Sequence, residues 1–163
     1  ITRRLIHQQH TRIGAVVRTG DWQIDHDIID GITHGFATAG LIPDTSLFCH
    51  AATDTVETEL DALLRRPDRE RPDAIFVIET YLPQILKYLY HRRLRPDSLP
   101  QLILIGGNCS TTSAGLGMEY FSYLVYGDSV AMGEKLLAGV AGLVRNSAFA
   151  DPSVVLPVSI RKL

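Results

Sequence analysis

Glu79 and Asn108 are the two polar side chains of this sequence best placed for chemistry. Each follows a short apolar run, AIFVI and QLILIGG, inside the stretch from Pro72 to Asn108. Such runs, partly β-branched and too short for a helix, read as buried strands. Between them Leu82, Ile85, Leu86 and Leu89 recur at helical spacing, Pro83 falls in the first turn, and Thr80 is placed to cap it. Strand, helix and strand in that order make a right-handed crossover between parallel strands. Glu79 and Asn108 then stand at the carboxyl edge of the sheet, where open α/β sheets hold their ligands. A carboxylate and an amide there can exchange hydrogen bonds with the hydroxyls of a small polar ligand. Plainer roles for the two are a helix N-terminal carboxylate and a turn residue tolerating the left-handed region.

Other constellations carry less. Asp25, His26 and Asp27 are acid, base or metal material, but consecutive helical residues point in different directions. No HxxxH, CxxC or HExxH spacing occurs, and Cys49 and Cys109 lie far apart, as reduced thiols do. A G-x-S-x-G nucleophile elbow is absent, and GGNCSTT lacks the P-loop lysine. No catalytic residue, metal or cofactor is expected.

The surrounding elements alternate. A short helix is expected from near Thr2 to before His10, and RIGAVV is the first core strand. The next helix turns Ile28, Ile29, Ile32, Phe36 and Ala39 inward, and Gly40 is placed to stop it. Thr45 to Cys49 reads as a strand. Val56, Leu60, Leu63 and Leu64 give one face of a helix whose start, Asp54 and Glu57, has capping-box spacing. After the central unit come a Gly/Ser/Thr-rich loop, the strand FSYLV, a long helix over Gly127 to Asn146, and a last strand VVLPV. Strands alternating with helices predict an α/β parallel sheet flanked by helices.

Composition removes several classes. With 163 residues, 45% hydrophobic and 21% charged, the chain suits one globular unit, and its formal net charge of −2 leaves no basic footprint for nucleic acid. No apolar run approaches the ~18 residues of a membrane span, so no membrane association and a cytoplasmic location are expected.

The order of these motifs resembles the lactose-repressor-type (LacI/GalR) transcription regulators, nearly from end to end. ITRRLIHQQHTRIGAV is similar to the family's helix, Gly-His and strand entry, with Gln9 in place of the Gly. DGITHGFATAGL is similar to its Gly-aromatic helix, and RPDAIFV through RPDSLPQLILIGGN to its central strand–helix–strand run. DSVAMGEKL and VVLPVSIRK are similar to its late helix and closing strand. The resemblance implies a periplasmic-binding-protein-like (type I) lobe, incomplete without the other lobe. It implies a C-terminal lobe over 1–112, a segment over 113–150 crossing to the other lobe, and a closing strand over 151–163. The helix face of Leu136, Val140 and Leu143 would pack on that other lobe.

The same resemblance implies function. The chain would be the effector-sensing and dimerisation part of a bacterial DNA-binding transcription regulator. A sugar-like effector would lie between two lobes, and DNA would be held only through a headpiece outside this sequence. Ligand-binding positions carry over to Asp21, Trp22, Asp25, His50, Glu79, Tyr81 and Asn108. Ile28 stands where the family often has Arg, Glu79–Thr80 where it has Asn-Asp, and Asn108 where it has Asp. Homodimer contacts carry over to the helix with Ile85, Tyr88, Leu89 and Tyr90. A solute-binding protein of a transport system, built on the same fold, is the alternative.

Overall fold

Six strands pair side by side into the sheet that organises the molecule. The computed structural model describes residues 1–106, 117–127, 134, 137 and 158–162. Its strands are β1 (Ile13–Arg18), β2 (Phe48–Ala51), β3 (Ala74–Ile78), β4 (Gln101–Gly106), β5 (Phe121–Gly127) and β6 (Val158–Lys162). They lie in the order β2-β1-β3-β4-β5-β6, parallel throughout except for β6, which runs antiparallel to β5 at the edge. Every residue of β3 is buried, as a strand covered on both faces requires.

The helices follow from the direction of each crossover. From β1 the chain steps one way to β2, then returns past β1 to β3 and on to β4. With a constant right hand, the reversal puts the crossover helices on opposite faces. Helix α2 (Gln23–Thr38) accordingly packs with the first helix, α1 (Thr2–His7), while α3 (Val56–Leu64) packs with α4 (Leu82–His91). Leu5, Ile28, Ile32 and Phe36 fill one side of the sheet, and Val56, Leu60, Leu63, Ile85 and Leu89 the other.

Helix ends show why local sequence succeeded in places. Gly40 takes φ 69°, and its N–H and that of Leu41 bond to the carbonyls of Ala37 and Phe36, closing α2 as expected. The same closure ends α1 at Gln9 (φ 68°) and α4 at Arg93 (φ 51°), two side chains in a region that favours glycine. Thr80 does not cap α4; Glu79–Tyr81 forms a 3-10 turn first, and the N-cap residue is Tyr81. Asp54 does not cap α3 either, since Thr55 is its N-cap residue.

Two expectations shift. Thr45–Leu47 is a 3-10 turn and the strand begins at Phe48, because Asp44 accepts the N–H of Ser46 and bends the chain. The strand expected as FSYLV runs on to Gly127 as β5, hydrogen-bonded to β4. The closing strand is seen over Val158–Lys162, and of VVLPV only Val158 lies within the described residues. Of the long helix over Gly127 to Asn146, Gly127 is the last residue of β5, and the rest, Glu134 and Leu137 excepted, lies outside the described residues; Leu137 is 72% exposed.

Candidate functional site

The carboxyl edge of the sheet opens where the strand order reverses. Val16 stands opposite Val77, and Ile78 opposite Ile105. Two residues past Val16 comes Arg18, two past Val77 comes Glu79, and one past Ile105 comes Gly106, all at one level of the edge. A cleft of roughly 360 Å³ lies there, lined by Arg18, Ile24, Ile78, Glu79, Thr80, Ile105 and Gly106. It sits between β1 and β3, the switch point at which doubly wound sheets bind ligands.

Glu79 is in this cleft because the 3-10 turn after β3 lifts it over the end of β4. A side chain at Gly106 would put its Cβ about 2.5 Å from Glu79 Oε2 and 3.0 Å from Cδ, so the bare glycine makes the space the carboxylate occupies. Thr80, exposed beside it, adds a hydroxyl.

Arg18 is the residue that sequence reasoning passed over. It ended a strand and opened a polar loop, and nothing in the spacing marked its side chain as turned into the edge. Its Nε donates to Asp25 Oδ2 at 2.9 Å, and its guanidinium lies 4.5 Å from the centre of the Trp22 ring. Trp22 itself is half exposed at the rim, and Ile24 lines the cleft next to it.

The remaining expected positions separate. Asp25 is 3% exposed beneath Arg18 and does not line the cleft; it holds the arginine. Tyr81 is buried too, its hydroxyl donating to the carbonyl of Ala51, so it ties the end of β2 to the turn. Burial first, then the Asp25 charge, push its phenol up, against the pull of Arg18. His50 is exposed on β2, with Nδ1–H donating to the Arg18 carbonyl at 3.3 Å, outside the cleft lining. Asp21 is fully exposed and paired with His26 Nε2 at 2.8 Å. Asn108 lies outside the described residues.

The expected dimer contacts also divide. Ile85 and Leu89 are completely buried in the chain's own core, and Tyr88 is 6% exposed with its hydroxyl on Asp61 at 2.7 Å. These three face α3 and the sheet, because the apolar stripe of α4 is the one its own protomer covers. Only Tyr90 is open, stacked edge-to-face on Tyr120 at 5.5 Å.

No sequence-family model and no curated protein matches the chain. Solved structures match along almost its entire length. A regulatory protein of the LacI family from Chloroflexus aggregans superposes with a TM-score of 0.75 at 20% identity, over 98% of this chain and 58% of the other. The fold is that of LacI-type regulators. CcpA, a transcription regulator of Lactococcus lactis, gives 0.73 at 15% identity over 99% of this chain and 58% of its own. The transcriptional regulator CelR, solved with cellobiose, gives 0.71 at 20% identity over 98% of this chain and 48% of its own. This chain thus spans about half the length of the LacI-type structures it matches.

Proposed function

We propose that the chain is the effector-sensing part of a LacI-type transcription regulator, a sensor and not a catalyst. The observation that carries this is the Arg18–Glu79–Thr80 cleft, open at the switch point of a sheet whose solved relatives are transcription regulators. Polar groups that donate and accept, beside Ile24, Ile78 and Ile105, suit a sugar-like ligand with hydroxyls on one side and C–H groups on the other. The second lobe that the family resemblance implies would close over it. Asn108 would meet the effector there, and the exposed Leu137 would meet that lobe.

In the complete regulator the effector would shift an open–closed equilibrium and so the spacing of DNA-binding headpieces in a cytoplasmic homodimer. The shift cannot exceed the difference in effector affinity between the two states; going from 1:99 to 99:1 takes about 5.5 kcal/mol. Subunits would pair across the outer side of α4, where the exposed Tyr90 stacks on the half-buried Tyr120.

The test is operator capture from genomic DNA by the complete gene product, followed by thermal-shift screening of neutral sugars and re-measurement of DNA affinity. Sequence-specific DNA binding that one sugar alters by tenfold or more is expected. A product that binds the sugar but no DNA would favour a transport solute-binding protein. Sedimentation of Tyr90→Asp tests the interface: the monomer is expected, and an unchanged dimer refutes this face.

A further inference from the structure

The last residue of β1, Arg18, and three residues that follow it, Gly20, Trp22 and Asp25, build a fixed guanidinium. Gly20 takes φ +112°, which folds the loop back, and a Cβ there would lie 3.1 Å from Trp22 Nε1, so the indole rests against the bare glycine. Trp22 covers one face of Arg18, and the N–H of Asp25 bonds to the Trp22 carbonyl at 2.9 Å, which keeps loop and helix start together. Asp25, nearly all of it buried, then fixes Arg18 Nε, while its second oxygen, Oδ1, has no hydrogen-bond partner among the described residues.

Stability does not explain this arrangement. A buried ion pair is commonly matched or bettered by apolar residues of the same volume, whereas it does hold a charged group in one orientation. Nε is committed to Asp25, the two terminal amino groups have no hydrogen-bond partner among the described residues, and Arg18 lines the cleft, so these groups are the part of the fork left for a ligand. Two parallel N–H donors match two adjacent oxygens on one molecule.

Charge then selects the ligand. Asp25 already balances Arg18, and Glu79 adds a further negative charge to the lining. A net anion would meet Glu79 without an uncompensated cation to hold it. Hydroxyls both accept and donate, so neighbouring hydroxyls can take the Arg18 fork and give a proton to Glu79. We propose that Arg18 is the specificity-determining cation of this cleft, taking the adjacent oxygens of an uncharged vicinal diol, with Asp25 and Trp22 as its positioning residues. This rests on the reading that the cleft holds a ligand, and it names the group recognised.

The test uses three probes of one skeleton: D-ribose, D-ribonate and D-ribose 5-phosphate. A fork for diols accepts any ring with free neighbouring hydroxyls, so ribose serves whatever the natural effector. The 15N-labelled chain is titrated to the solubility limit of each probe while the Arg18 Nε–H and Trp22 Nε1–H signals are followed; Trp22 is the chain's only tryptophan. Ribose should shift both signals saturably and bind more tightly than either anion. Arg18→Lys, which keeps the charge and loses the fork, should weaken ribose about tenfold or more. In Asp25→Asn the Trp22 emission should move to that of a solvated indole and ribose binding should fall with it. Equal ribose binding by native chain and Arg18→Lys overturns the role of Arg18 while leaving the cleft as a ligand site. Tighter binding of ribonate or the phosphate overturns the neutral-diol assignment. No shift with any probe overturns the inference together with the ligand-site reading.

Discussion

Replacing Gln9 by glycine should stabilise this protein, an uncommon direction for a single substitution. Gln9 closes α1 at φ 68°, with its N–H on the Ile6 carbonyl at 2.9 Å and the His10 N–H on that of Leu5 at 3.0 Å. A side chain in the left-handed region costs roughly 1–2 kcal/mol, which glycine avoids. Glycine returns part of that gain, about 0.4–1 kcal/mol, through the greater freedom of its unfolded chain. The Gln9 side chain is exposed, so little packing is lost with it. A net gain of about 0.5–1 kcal/mol is expected, or roughly 1–4 °C in Tm for a domain of this size. Urea unfolding should show a higher midpoint with an unchanged slope. The series decides the cause: Gln9→Asn should fall between Gln and Gly because asparagine tolerates this region, and Gln9→Ala should gain nothing. If alanine stabilises as much as glycine, or glycine destabilises, then backbone strain is not what Gln9 carries. Arg93 (φ 51°) ends α4 in the same way, and Arg93→Gly should add independently, since the two sites share no partner.

Three more outcomes follow from the contacts. Asp73 accepts the N–H groups of Thr11 and Arg12 at 3.1 and 3.0 Å and pairs with the Arg12 guanidinium, clamping the amino ends of β1 and β3. Asp73→Ala should cost about 2–3 kcal/mol in urea unfolding, yet leave ribose binding at the opposite edge unchanged; lost binding would mean the two ends are coupled. Burial first, and the Asp61 hydrogen bond second, push the Tyr88 phenol up to about 12 from an ordinary 10.0, and that bond leads the causes holding the Asp61 carboxyl below 3.8. The Tyr88 contribution is therefore complete below pH 10 and lost as pH climbs from 10 to 12, whereas that of Asp61 is present above 3.8 and lost as pH falls below it. Tyr88→Phe should cost about 1 kcal/mol at neutral pH and flatten both limbs of a stability–pH curve; unchanged limbs would separate stability from this pair. Gly106→Ala drives a Cβ into the Glu79 carboxylate, so stability should change by less than about 1 kcal/mol while ligand binding falls; retained binding would remove Glu79 from the site.

Periodicity alone determined that β1, β3 and β4 are strands and that α2, α3 and α4 are helices. The apolar runs of β1, β3 and β4 and the stripes of α2, α3 and α4 were legible because burial imposes a local repeat on the residues that undergo it. Glu79 was legible for the same reason: it is the first polar residue after a strand that must end at the sheet's edge. What only the tertiary structure decided is which of the neighbouring polar groups face the cleft. Asp25 and Tyr81 carry side chains as polar as Glu79, but the helix start after the Gly20 turn draws Asp25 under Arg18, and the 3-10 turn sends Tyr81 inward to Ala51. Arg18 enters the cleft only because Trp22 and Asp25 hold it there. The helix α4 shows the same limit, since a sequence marks its apolar face without saying whether Ile85 and Leu89 meet a partner or the protomer's own sheet. Side-chain direction at an edge depends on residues brought together across turns and strands, and a one-dimensional pattern holds no record of those meetings.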